Sequence, residues 1–195
     1  SPSATSPALS SIEDNGFFFR TAPSDSRQGQ LLAEIAIAKG INDVAVTYVN
    51  NDYGKGLSDA FVNSYKVLGG SVSVNSAHED GKGDYSADVA ALSAGGSSVL
   101  AVFGYIDGGA LSLVISSVDA GAFDSYIFSD GMISPGNKAL EGLQGLNGSW
   151  GTTAGGGDSV EIWEEVATAA GNTVGPYSGE AYDAMALIIL ASQKS

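Results

Sequence analysis

Tyr126-Ile127-Phe128-Ser129-Asp130-Gly131 reads as a short buried strand that stops at a carboxylate followed by a glycine. In an open α/β sheet, ligands bind just beyond the carboxyl ends of the strands. A carboxylate at that point is a candidate grip for a positive charge. From the residues alone it is equally well a turn residue or a helix cap, so its surroundings decide.

Upstream of this stretch, apolar runs alternate with helical patterns. Val44–Val49 is β-branched and nearly continuous in apolar character, as in a strand buried on both faces, and Val99–Phe103 is another apolar strand. Ser71–Asn75 alternates about Val72 and Val74 and predicts a further strand. Between them, helices are expected over 27–39, 55–68, 84–94 and 108–120, with stripes such as Leu57, Phe61 and Tyr65 or Tyr85, Val89 and Leu92. Gly40, Gly69 and Gly121 stand where three of these helices should end. Strand, helix, strand, helix with short glycine joints implies a doubly wound parallel sheet.

The flanks are less regular. Phe17-Phe18-Phe19 is expected as a short strand, and Pro23–Ser26 as a hinge and helix cap. Downstream, a short helix is expected within Pro135–Leu143, a strand leaving the domain within Leu146–Gly151, and a flexible linker over Thr152–Gly157. Helices over 159–170 and 177–192 follow. The last carries an apolar stripe of Tyr182, Met185, Ala186, Ile189 and Leu190 that requires a partner surface.

Composition narrows the function. The 195 residues are 44% hydrophobic and 15% charged, as in a packed globular protein. With 8 basic residues against 22 acidic, the net charge is −14, which argues against nucleic acid and against an anionic membrane surface. There is no cysteine and a single histidine, so thiolate chemistry and Cys- or His-rich metal sites are excluded. No apolar run approaches the roughly 18 residues of a membrane span. Nucleophile-elbow, phosphate-loop and dinucleotide motifs are absent. His78 stands in an Asp/Gly-rich stretch and reads as a surface residue. Glu79–Asp84 reads as a solvated turn rather than a calcium loop, and Asn147-Gly148-Ser149 is a glycosylation triplet of a kind common by chance.

The strand ends give a compact rim. Asn50-Asn51-Asp52-Tyr53-Gly54 follows one strand, Gly104-Tyr105 another, and Asp130-Gly131 the third. Two tyrosines and a carboxylate suit an ammonium or another cationic head group. Tyr53 is also readable as a helix start and Tyr105 as loop packing.

These residues resemble a known family. Ser1-Pro2-Ser3-Ala4-Thr5-Ser6-Pro7, Phe19-Arg20-Thr21 with Asp25 and Gln28, Asp52–Gly56, Phe103-Gly104-Tyr105, Ser129-Asp130-Gly131 and Tyr177 through Tyr182-Asp183-Ala184 occur in the order and spacing of the substrate-binding proteins of branched-chain amino-acid ABC transporters. That is the leucine/isoleucine/valine-binding group with the type I periplasmic binding fold. The resemblance implies two α/β lobes with the ligand between them. Residues 24–149 would form the C-terminal lobe, and 1–23 and 150–195 would be parts of the N-terminal lobe, the rest of which lies outside this sequence. It further implies a longer precursor with a signal peptide, and a periplasmic location or lipid anchoring outside a Gram-positive cell. The partners implied are a small amino acid and a membrane permease. No enzyme activity, cofactor or metal is implied, and a dimer through the incomplete lobe is an expectation.

By the same resemblance Ser3 and Thr5 receive the ligand carboxylate, Asp130 pairs with its ammonium, Tyr53 and Tyr105 close over it, and Tyr177 lines the side-chain pocket. Many relatives have Glu where this chain has Asp130. The shorter side chain lets the ligand sit deeper or places a water between. A ligand-sensing receptor or regulator with the same fold is the alternative.

Overall fold

The computed structural model describes residues 1–133, 138–153 and 160–194. Its centre is a parallel sheet of β1 (Asp43–Val49), β2 (Ser71–His78), β3 (Val99–Phe103), β4 (Ser125–Phe128) and β5 (Trp150–Gly151), in the order β2-β1-β3-β4-β5. The helices α1 (Asp25–Ala38), α2 (Asp52–Val67), α3 (Ser86–Ser93) and α4 (Gly109–Asp119) alternate with β1–β4. The remaining helices, α5 (Val160–Ala169) and α6 (Ser178–Lys194), close the chain.

The two faces of the sheet follow from residue parity, because successive strand side chains point to opposite sides. Val44, Val46, Val99, Ala101 and Phe103 pack with Leu32 and Ala36 of α1 and Leu57, Phe61 and Tyr65 of α2. Ala45, Leu100, Val102 and Tyr126 pack with Val89 and Leu92 of α3 and Leu113 and Val114 of α4. Strands filled on both faces have no polar face to offer, which is why their sequences are nearly continuously apolar.

Helix starts sit where the strands deliver the chain. The Asn51 side chain accepts a hydrogen bond from the Gly54 N–H at 2.9 Å and caps α2 immediately after β1. A Cβ on Gly54 would lie 2.2 Å from the Val49 carbonyl oxygen, so only glycine permits so tight a turn. Ser24 caps α1, and Asp80 Oδ1 accepts from the Gly109 N–H at 2.6 Å to cap α4. Asp80 therefore does more than fill a solvated turn.

The structure corrects several expectations. Phe17–Phe19 is not a strand: it has no neighbour in the sheet, and Phe17 and Phe19 are exposed. The strand expected over Leu146–Gly151 shrinks to Trp150–Gly151, which joins the edge of the same sheet beside Ile127 and Phe128. Residues 138–143 form turns, not helix, while residues 135–137 of that expected helix lie outside the described residues. Most of the expected linker, residues 154–157, lies outside them as well.

His78 is buried, not superficial. The β2 strand runs three residues beyond Asn75, and the register shift beside Val44/Ala45 turns Val74 toward the α3/α4 face. Parity then takes His78 inward, where its Nδ1 lies 2.9 Å from Thr47 Oγ1. Burial pulls its pKa down. The stripe on α6 is exposed along Tyr182, Met185, Ile189 and Leu190.

Candidate functional site

The strand order reverses direction between β1 and β3, the switch point where crevices open in doubly wound sheets. Tyr53 leaves the end of β1 and Tyr105 follows β3, and their rings stack with centroids 4.9 Å apart and planes 23° off parallel. The next strand over, β4, delivers Ser129 and Asp130. Both are buried, with Asp130 only 6% exposed.

Asp130 opens a short 3-10 turn, Asp130–Met132, which aims its carboxylate back over the strand ends. The Tyr53 hydroxyl lies 2.9 Å from Asp130 Oδ1 and 3.0 Å from Ser129 Oγ. With one proton for two acceptors, it favours the charged one. The same oxygen accepts from the Gly131 N–H at 3.3 Å. On the other side the Tyr177 hydroxyl donates to Asp130 Oδ2 at 2.7 Å. Each carboxylate oxygen has two acceptor sites, so both retain capacity.

Tyr177 stands just before α6 with φ 64°, a left-handed backbone uncommon for a bulky residue. Such a conformation costs roughly 1–3 kcal/mol and needs its surroundings to hold it. Burial and the neighbouring Asp130 charge push the phenol pKa values of Tyr53 and Tyr177 up, so both remain neutral donors. Burial also raises that of Tyr105, which keeps 39% exposure at the rim.

Close approach depends on Gly131. A Cβ there would lie 2.3 Å from the Gly104 carbonyl oxygen and 3.0 Å from the Tyr53 hydroxyl. The Ile106 N–H donates to the Gly131 carbonyl at 2.8 Å and locks the two loops together.

Thr5 belongs to a separate wall. It is buried, and its carbonyl accepts from the Asp25 N–H at 2.9 Å, which ties the N-terminal loop to the first turn of α1. Arg20 Nη1 donates to the carbonyls of Ala4 at 3.2 Å and Ser6 at 2.9 Å, clamping the residues on either side of Thr5. Its Nη2 also donates to Ser10 Oγ. Ser3 is exposed, and its N–H donates to Ser1 Oγ at 3.4 Å rather than to the Asp130 group.

The carboxyl of Asp25 is buried beside Thr5 and within reach of the Asp130 charge. Burial raises its pKa from 3.8 to about 7, with the Thr5 hydroxyl and Arg20 pulling it down and the charge of Asp130 adding to the rise. Ser129, Arg20 and Asp25 were not among the expected binding residues. A signal for Asp25 was present: it shares helical spacing with Gly29, Leu32, Ala33 and Ala36, the inward face of α1.

Tyr53, Tyr105, Tyr177 and Asp130 thus form one cluster in which neutral dipoles hold a buried carboxylate. None of the ion pairs among the described residues includes Asp130. A charge held this way is pre-organised to receive a cation. Among the described residues no group of carboxylates and histidine is arranged to hold a metal ion.

Comparison with known proteins agrees with the fold. A leucine binding protein from Thermotoga maritima superposes with a TM-score of 0.82 at 24% identity, over 99% of this chain and 56% of that one. An ABC transporter substrate-binding protein from Desulfitobacterium hafniense, in complex with Leu, gives 0.70 at 19% identity over 98% and 56%. A solute binding protein of an ABC transporter from Rhodopseudomonas palustris, in complex with p-hydroxybenzoic acid, gives 0.52 at 19% identity over 58% and 32%. The chain spans about half the length of the first two of these relatives. No curated protein matches it. The sequence signature of the receptor family ligand binding region matches residues 1–145. The chain belongs to that family and carries the type I periplasmic binding fold.

Proposed function

We propose that the chain is the larger part of an extracytoplasmic solute-binding protein of an ABC transporter, which captures a small amino acid, branched-chain or otherwise aliphatic, and delivers it to a permease. The observation that carries this reading is Asp130, a buried carboxylate with two tyrosine donors and no cationic partner among the described residues. An α-ammonium supplies the missing charge. The ligand carboxylate is received by Thr5, with Ser3 contributing once the loop turns its N–H inward.

In this reading residues 24–149 are one lobe, and residues 1–23 with 150–195 belong to the other. The Thr21 hydroxyl bond to the Glu180 carbonyl, 2.8 Å, supports grouping the first and last segments. A zwitterion held at Asp130 by one lobe and at Thr5 by the other bridges the cleft and stabilises closure. Tyr53 and Tyr105 cover it, and Tyr177 lines the pocket. The protein acts by binding, without a cofactor, in the periplasm or anchored outside a Gram-positive cell.

Calorimetry on the intact protein with leucine, valine, alanine and glutamate tests this. Heat from an aliphatic amino acid that disappears in Asp130→Ala is expected. No heat from any amino acid, or undiminished binding by the variant, overturns it. A ligand-sensing receptor role is the second reading, favoured by the receptor-type family match. Permease genes beside the coding sequence support transport, and a kinase or transcription unit there supports sensing.

A further inference from the structure

We infer that Asp25 is a positioning residue for the ligand carboxylate: in its protonated form it donates to Thr5 Oγ1 and so commits the Thr5 hydroxyl proton to the ligand. The inference rests on the amino-acid-binding reading of the cleft. Asp25 is 1% exposed, and neither carboxyl oxygen has a hydrogen-bond partner among the described residues. An acid in the first turn of a helix ordinarily caps an N–H or is solvated. This one does neither, because Ser24 is the cap of α1.

The polar side chain at hand is Thr5, close enough to bias the Asp25 carboxyl but short of hydrogen-bond geometry. The backbone already joins the pair through the Asp25 N–H and the Thr5 carbonyl. A threonine hydroxyl has one proton to give and two acceptor sites. Opposite an ionised Asp25, that proton goes to Asp25, and the ligand carboxylate would meet an oxygen lone pair with a second negative charge behind it. Opposite a protonated Asp25, the acid donates to Oγ1, and the hydroxyl proton is free for the ligand.

The groups facing Asp25 set its balance. Arg20 and the N-terminus of α1 favour the ionised form, whereas burial and the charge of Asp130 favour the protonated one. Tyr53, Tyr105 and Tyr177 also face it, as neutral phenols. A bound zwitterion neutralises Asp130 with its ammonium and sets its own carboxylate against Thr5, whose hydroxyl adjoins Asp25, whereas Asp130 acts on Asp25 through its charge alone. Binding above neutral pH therefore draws up to one proton from solvent onto Asp25.

The test is leucine affinity of the intact protein between pH 6 and 8.5, for wild type and Asp25→Asn, whose amide donates like the protonated acid at every pH. With the Asp25 pKa at about 7 in the free protein, full coupling weakens wild-type binding by about 30-fold over that range. The variant stays flat and binds more tightly than wild type at pH 8.5. Calorimetry at pH 7.5 in buffers of different ionisation heat gives a second readout that needs no variant, with uptake of roughly half a proton or more per leucine. A flat wild-type profile without proton uptake, or the same slope in Asp25→Asn, overturns the inference and leaves amino-acid binding standing. No leucine binding at any pH overturns the functional reading itself.

Discussion

Replacing Asp130 by Asn removes a charge and almost no volume. The two tyrosine donors define what is lost: Tyr53 at 2.9 Å on Oδ1 and Tyr177 at 2.7 Å on Oδ2. An amide keeps one carbonyl acceptor and turns an NH2 toward the other hydroxyl, which can then accept in its place. Tyr53 also has Ser129 Oγ at 3.0 Å as a substitute acceptor, so the fold should lose about 1 kcal/mol or less. The ligand loses more. Breaking one side of a desolvated, hydrogen-bonded charge pair costs about 2–5 kcal/mol, which is roughly 30-fold to several-thousand-fold in affinity. The assay is calorimetry on the intact protein with leucine and with 4-methylpentanoate, which has the same carboxylate and side chain but no ammonium. Leucine should lose its advantage over the acid in Asp130→Asn, while the acid binds both proteins alike. An equal loss for both ligands would refute the pairing of Asp130 with the ammonium.

Other consequences are open to measurement. The pKa of Asp25 is raised by folding, so its proton stabilises the native state fully below about pH 4, and that contribution is lost as pH rises toward about 7. The loss is on the order of a few kcal/mol. Thermal denaturation should find Asp25→Asn equal to wild type near pH 4 and more stable at pH 8, and a constant difference would contradict this. Gly131→Ala forces a Cβ against the Gly104 carbonyl, so it should cost about 1–3 kcal/mol in chemical denaturation and weaken leucine binding as Tyr53 and Tyr105 shift. Arg20→Gln removes the clamp on Ala4 and Ser6, and leucine affinity should fall about tenfold or more while hydrogen exchange in β1 and β3 is unchanged.

The sheet was legible in the sequence because its strands are filled on both faces. Val44–Val49 and Val99–Phe103 have no polar alternation to confuse with a surface strand. Phe17–Phe19 has equal β-propensity and forms no strand, since a strand exists only through a neighbour and propensity carries no word of one. The end of β2 was hidden by Asn75 and Ser76, polar residues that an edge strand tolerates. At the site, the topological rule brought Tyr53, Tyr105 and Asp130 to one rim, and the structure places them there, the two rings stacked and Tyr53 bonded to Asp130. Ser3 is not brought to that group. The Tyr177 bond to Asp130 spans 47 residues and turns on a left-handed tyrosine, neither of which leaves a local pattern. Asp25 left one in its helical register with a buried stripe, but a charged residue at a helix start reads first as a cap.

A crystal structure of the intact protein with leucine tests the central claim most directly. The account predicts the ammonium within about 3 Å of the Asp130 carboxylate and the ligand carboxylate at Thr5, with Tyr53 and Tyr105 closed over the ligand. Leucine bound with its ammonium away from Asp130, or no leucine in the cleft at saturating concentration, would contradict it.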